Sequence, residues 1–190
     1  MLAERHTLTL KKEGTALVVI DMQPSLYPLV AEKDSLLKNV LACIEVAKVF
    51  NLPILMTEQY PKGLGVTIPE VQKALPRYEP IAKNEFSCVR NDPFFTKLQE
   101  MRDIDTLLVA GIESHICVSQ TVLDALANAY QVHLVADATS SRSIENKKIG
   151  IDKMRSAGAV ITSVEMLIYE LLESKDAKEF KDVLKLVKAL

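Results

Sequence analysis

The chain has 190 residues, 48% of them hydrophobic and 25% charged, and a formal net charge of −2. That length suits a single domain, residues 1–190, with a sizeable core, and the balanced charge without a lysine–arginine block argues against a nucleic-acid or anionic-membrane partner. No apolar run approaches the roughly 20 residues of a membrane span, and Met1-Leu2-Ala3-Glu4-Arg5-His6 lacks the apolar core of a signal peptide.

Short apolar runs alternate with helical patterns. Thr15 to Ile20 reads as a buried strand ending at Asp21. Lys33 to Phe50 carries Leu36, Leu37, Val40, Leu41, Ile44, Ala47 and Val49 close to a 3.6 period, which predicts a helix. Leu52 to Met56 is the second strand, with Pro53 among its first positions. A Gly/Pro-rich loop, Tyr60-Pro61-Lys62-Gly63-Leu64-Gly65, follows it. Ile81 to Lys83 reads as a short third strand and Asp92 to Met101 as a helix opened by Asp92-Pro93.

Thr106 to Ala110 is the fourth strand, and a helical pattern runs from Cys117 to Ala129. Gln131 to Ala136, a helix over Ser143 to Ala157 stopped by Gly158, and a sixth strand from Ala159 to Thr162 complete the alternation. Two helical stretches end the chain; in the second, Phe180, Val183, Leu184, Val187 and Leu190 form an apolar stripe that packs either on its own domain or on a neighbouring subunit. The pattern predicts an α/β fold: one three-layer, doubly wound domain with a parallel sheet of about six strands and helices on both faces.

Cys43, Cys88 and Cys117 are odd in number, far apart and in no C-x-x-C spacing. A disulfide framework or zinc ribbon is not expected, and a reducing cytoplasm is the default location. Cys117 stands out because it follows the fourth strand near the start of a helix, where exposed N–H groups and the helix dipole favour a thiolate. Asp21 should sit at the tip of the first strand and Lys83 at the end of the third. One sheet edge can therefore gather a carboxylate, an ammonium and a thiol. The lysine would lower the thiol pKa, the aspartate would move its proton, and backbone N–H groups at Ile116 and Cys117 would hold a tetrahedral oxyanion. Each residue also has a plainer role: a core cysteine, a turn aspartate, a solvated lysine.

Asp21-Met22-Gln23 after an apolar strand, Lys83 before Phe86-Ser87, and Gly111-Ile112-Glu113 leading to Cys117-Val118 together resemble the isochorismatase-like cysteine hydrolase superfamily. Thr57-Glu58-Gln59-Tyr60-Pro61-Lys62-Gly63-Leu64-Gly65, Gln131-Val132-His133 and Ser140-Ser141-Arg142-Ser143 are most similar to its isochorismatase domain-containing protein 2 branch. The resemblance implies an Asp21–Lys83–Cys117 triad, a non-proline cis peptide at Ile112-Glu113, and a homo-oligomer. It also implies hydrolysis of a small molecule at a C–N (amide-type) bond through an acyl-thioester. Gln23, Tyr60, Leu64, Phe86 and Ile116 are the candidates for contacting substrate. Nicotinamidase-type relatives hold a metal with an Asp-x-His pair and a further histidine. His6, His115 and His133 are not so spaced, so neither metal nor other cofactor is expected. His133 reads as a packed strand histidine, and His115 as either a substrate contact or a structural residue.

Glu85 departs from the branch, and in an extended segment it would sit on the same side as Lys83 and pair with it. That departure motivates a second expectation, a weak or inactive member acting as a binding scaffold. A third is ribonuclease activity, a label some relatives carry, although the chain offers no basic groove for it.

Overall fold

The computed structural model describes residues 5–188, and the six apolar runs form one parallel sheet. In chain order these are β1 (Thr15–Ile20), β2 (Ile54–Gln59), β3 (Ile81–Lys83), β4 (Thr106–Ile112), β5 (Gln131–Ser140) and β6 (Val160–Thr162). Their spatial order is β3-β2-β1-β4-β5-β6, so the winding reverses between β1 and β4. The helices are α1 (Lys33–Val49), α2 (Pro61–Leu64), α3 (Pro69–Ala74), α4 (Asp92–Glu100), α5 (Ser119–Ala127), α6 (Ile144–Ser156), α7 (Val164–Leu172) and α8 (Phe180–Val187).

The two-residue side-chain period of a strand divides the core into two layers. Leu17, Val19, Leu108 and Ala110 face α1 and α7 through Leu36, Val40, Ile44, Leu167 and Ile168. Ala16, Val18, Leu107 and Val109 face the other way, onto Phe94 and Leu98 of α4, Val122 and Ala125 of α5, and Met154 of α6. Covering both faces is why these central strands read as unbroken apolar runs.

Several boundaries differ from the pattern-based expectation. β2 starts after Pro53 and continues through Thr57 and Gln59, because its polar end pairs with β1 and β3 at once. β4 and β5 likewise run on to Ile112 and Ser140. Asn91, not Asp92, caps α4: its side chain accepts the Phe94 N–H at 3.2 Å. Cys117 precedes the α-helix, lying in a π-helical turn (Ser114–Val118) that leads into α5. The stripe of α8 packs on its own domain, with Val183 buried and Phe180 and Val187 against the α1 face. Leu184 is exposed, and Leu190 lies outside the described residues. His133 is buried in β5, and burial pushes its pKa down to about 4, keeping it neutral.

Gly111 brings β4 close to β1 just before the site. Its φ is +114°, and a Cβ there would lie 2.2 Å from the Ile20 carbonyl oxygen. Gly158 shares the unusual backbone, with φ +107°, but has nothing within 4 Å. G158A is expected to cost only backbone strain, about 1–2 kcal/mol, whereas G111A must also push apart the central strands β1 and β4 and is expected to cost more than about 3 kcal/mol. Equilibrium urea unfolding of the two variants checks the ranking; equal losses would contradict it.

Candidate active site

Three strand ends converge at the carboxyl edge of the sheet, beside the reversal where doubly wound folds place their ligands. Asp21 follows β1 with φ 52°, a left-handed conformation that a short polar side chain tolerates. Its N–H donates to the Thr57 carbonyl at 3.2 Å. Lys83 ends β3, and its Nζ donates to Asp21 Oδ2 at 2.7 Å, with both side chains fully buried. The same Nζ donates to Gln59 Oε1 at 2.7 Å and reaches the carbonyls of Glu85 and Phe86 at 3.3 and 3.4 Å. On the other oxygen, the Thr57 hydroxyl donates to Asp21 Oδ1 at 2.7 Å.

Cys117 is 6% exposed, its Sγ lies 3.9 Å from Gln59 Oε1, and the Asp21 carboxylate acts on the thiol electrostatically. Burial first, and the Asp21 carboxylate second, push its pKa well above that of a free thiol, while the Lys83 ammonium pulls against them. The expectation of a resting thiolate is therefore reversed: desolvation disfavours the anion, and Cys117 does not occupy the first turn of an α-helix. Burial also works against the Lys83 ammonium. Asp21, then Cys88 and Cys117, nonetheless hold its pKa above the usual lysine value. Glu85 does not pair with Lys83 through its carboxylate. That group is on the surface, accepts from Asn91 Nδ2 at 2.9 Å, and is held below the usual carboxylate range chiefly by this bond.

The turn carrying Cys117 is fixed from β5. Val109 pairs with Leu134 and Gly111 with Thr139, so β5 carries extra residues there, and this bulge re-aims its end. Thr139 donates its hydroxyl to the Gly111 carbonyl at 2.8 Å and sits 2.9 Å from the Ser114 hydroxyl. His115 Nδ1 meets Ser141 Oγ at 2.9 Å, and so serves the turn rather than facing only solvent. The peptide between Ile112 and Glu113 is cis. Arg142 closes on the Glu113 carboxylate with its backbone N–H at 2.9 Å, Nε at 3.2 Å and Nη2 at 3.0 Å. The Glu113 carbonyl takes the N–H groups of Ile116 and Val118, at 3.0 and 3.2 Å, on either side of Cys117.

Among the residues proposed to touch substrate, Gln23 is fully buried and committed to backbone. Its Nε2 donates to the Gln59 and Gly65 carbonyls at 2.9 and 2.6 Å, and its Oε1 accepts the Gln59 N–H at 2.8 Å. Tyr60 and Phe86 are half-exposed, while Leu64 and Ile116 are partly buried. A cavity of about 480 Å³ lies beside Leu52, Ile54, Met56, Leu75 and Ile81, and contains none of the three convergent residues. Ion-pair chemistry, not cavity size, marks this site. Among the described residues, no three His, Cys, Asp or Glu side chains are grouped to hold a metal. Thr57, Gln59 and the Glu113–Arg142 fork had no assigned role in the sequence; polar residues continuing β2 at alternate positions were the available signal.

Residues 15–166 match the family model for the isochorismatase domain. The chain is 34% identical over 177 residues to isochorismatase domain-containing protein 2A of Mus musculus, covering 93% of this chain and 84% of that protein. Against isochorismatase domain-containing protein 1 of Salmo salar the identity is 31% over 175 residues; the match covers 92% of this chain but spans only 61% of that protein. Among solved structures, it is similar to the MAR1 ribonuclease of Caenorhabditis elegans, at 33% identity and a TM-score of 0.88, covering 94% and 92% of the two chains. It is also similar to YcaC of Pseudomonas aeruginosa, solved with hexane-2,5-diol and covalent acrylamide, at 26% identity, a TM-score of 0.88 and coverage of 96% and 93%. YcaC of Escherichia coli, described as an octameric hydrolase of unknown specificity, matches at 26% identity and a TM-score of 0.86, covering 97% and 92%.

Removing one partner of the Lys83–Asp21 pair leaves an uncompensated charge. Lys83→Met is expected to lose about 3–5 kcal/mol of stability, and Asp21→Asn/Lys83→Met to lose less than Lys83→Met alone. Denaturant unfolding at neutral pH measures the coupling; purely additive losses would show that the contact carries none.

Proposed function

The chain belongs to the isochorismatase family, and we propose that within it this protein is a metal-independent cysteine hydrolase that cleaves the C–N bond of a small amide. The observation that carries this reading is a buried thiol 3.9 Å from Gln59 Oε1, the same oxygen that accepts from the buried Lys83 ammonium, which is itself clamped at 2.7 Å onto Asp21. Cys117 Sγ attacks the carbonyl carbon while its proton passes to Asp21. The oxyanion takes the N–H of Cys117, since that of Ile116 is already given to Glu113. The C–N bond breaks as Asp21 returns the proton to the leaving nitrogen, and an acyl-thioester remains. Water then attacks the thioester with Asp21 as base; the acid leaves and the thiol is restored. Lys83 stays protonated throughout and balances the charge of the neighbouring carboxylate.

Half-exposed Tyr60 and Phe86, with Leu64 and Ile116, supply an apolar mouth for the rest of the substrate. Gln23 acts behind them by fixing the backbone of Gln59. The covalent acrylamide of the Pseudomonas relative supports a ligand class of small amides that meet a nucleophile. The octameric Escherichia relative supports a homo-oligomer, and three free cysteines suit the reducing cytoplasm.

The name of the Caenorhabditis neighbour favours a second reading, a ribonuclease. With a net charge of −2, the chain is expected not to retain single-stranded RNA even at low salt, where phosphate contacts are strongest. Salt-sensitive binding in an electrophoretic shift would favour the nuclease instead.

Acrylamide tests the nucleophile and its proton path together. Sγ bonds the β-carbon and the thiol proton reaches the α-carbon by way of Asp21, so none need pass to water. Labelling of Cys117, read by peptide mass spectrometry, is expected to change less than about threefold between about pH 6 and 8 in the wild type. In Asp21→Asn it is expected to rise about tenfold per pH unit, because the thiol must then ionise to solvent. A wild-type rate that itself climbs tenfold per unit would overturn the role of Asp21.

A further inference from the structure

We propose that Thr57 is the positioning residue of the Asp21 base, holding the plane of the carboxylate so that an unoccupied lone pair faces the Cys117 thiol; the inference rests on the cysteine-hydrolase reading above. An aspartate carboxyl turns in a broad, nearly two-fold well about its last bond. The Lys83 contact fixes only Oδ2, and an ammonium on one oxygen lets the other swing. The Thr57 hydroxyl fixes Oδ1 at 2.7 Å, so two contacts on two oxygens define the plane.

The hydroxyl itself has little freedom. Thr57 is fully buried in β2, opposite Ile20, and a β-branched residue is stiff at its first torsion. Cys88 Sγ donates to Thr57 Oγ1 from 3.7 Å, which fills a lone pair and directs the threonine proton toward Asp21. Burial raises the Cys88 pKa to about 11, so this thiol keeps its proton at neutral pH and remains a donor. Cys88 is anchored in turn, its N–H donating to Thr121 Oγ1 at 2.9 Å. Thr121 belongs to α5, which continues directly from the turn that carries Cys117. A buried polar chain therefore ties the helix behind the nucleophile to the base: Thr121, Cys88, Thr57, Asp21.

The test is the pH profile of Cys117 acrylamide labelling in Thr57→Val and Thr57→Ser, beside the wild type and Asp21→Asn. Thr57→Val is nearly isosteric but cannot donate. Its flat region is expected to fall about tenfold, so that the slope seen in Asp21→Asn emerges at lower pH. Thr57→Ser restores the hydroxyl and is expected to return the flat region to within about threefold of wild type. Should Thr57→Val fail to fold, Thr57→Ala removes the same hydroxyl without crowding the carboxylate and is read in the same way. A structural role alone would lower unfolding midpoints and leave the pH slope untouched. If the wild-type and Asp21→Asn profiles coincide, the base role of Asp21 fails. If they differ while Thr57→Val follows the wild type, or if Thr57→Ser is as impaired as Thr57→Val, the positioning role of Thr57 alone is overturned.

Discussion

The active edge of this molecule depends on one buried contact, the Lys83 ammonium against the Asp21 carboxylate at 2.7 Å. Taking both charges out of water is costly, and the arrangement holds because each partner has further hydrogen bonds beside the ion pair. Lys83 directs its protons to Asp21, to Gln59 and to the neighbouring carbonyls of Glu85 and Phe86. Asp21 takes Thr57 on its other oxygen. Because the pair joins the ends of β1 and β3 across β2, it also helps place a strand of only three residues, which pairs with β2 alone. Fold and chemistry thus share one interaction at this edge.

Neutrality of the pair bears on the state of the Cys117 thiol. A lysine beside a thiol would ordinarily draw out its proton, but here burial penalises the anion and the Asp21 carboxylate adds to that penalty. The resting side chain is then favoured as a thiol. In the proposed reaction, proton transfer to Asp21 moves a charge within the site instead of creating one, so the site keeps its net charge when the thiolate forms. A dry environment that disfavours a lone thiolate is therefore compatible with nucleophilic attack, provided that the acceptor is within reach and correctly turned.

The fold was legible in the sequence because its signals are local. Short, β-branched runs such as Thr15–Ile20, set between helical patterns, read as strands covered on both faces, and α1 declares itself through its 3.6-residue period. The convergence of Asp21, Lys83 and Cys117 on one sheet edge was legible because Asp21 directly follows β1, Lys83 ends β3, and Cys117 lies in the turn after β4. Less visible was everything that depends on tertiary partners. Thr57 and Gln59 fell beyond the expected end of the second strand, yet they are buried β2 residues whose polar groups meet Asp21 after β1 and Lys83 of β3. Glu85 looked like a rival for Lys83, but Asn91, the cap of α4, draws its carboxylate away. The helical periodicity after Cys117 was correct, and its use as an electrostatic argument was not, because a π-helical turn separates the thiol from the first turn of α5.

That turn shows how a sheet reversal becomes a site. Gly111 lets β4 press against Ile20, so the nucleophile segment leaves the sheet immediately beside the strand that carries Asp21. A segment departing there needs support from the far side, and β5 supplies it only because its bulge brings Thr139, Ser141 and Arg142 level with Gly111, His115 and Glu113. From the opposite face, α6 closes in through Gly150, where a Cβ would lie 3.0 Å from the His115 Cα and from the Ser114 carbonyl oxygen. Arg142 is more than half exposed, whereas the Glu113 carboxylate it grips is almost wholly buried. The fork therefore neutralises a buried charge from the surface, and the turn does not need a second buried cation that would compete with Lys83 for Asp21. Keeping the two ion pairs apart, one inside and one at the rim, fixes the backbone around Cys117 from the surface while the charge balance at its thiol is set by Asp21 and Lys83.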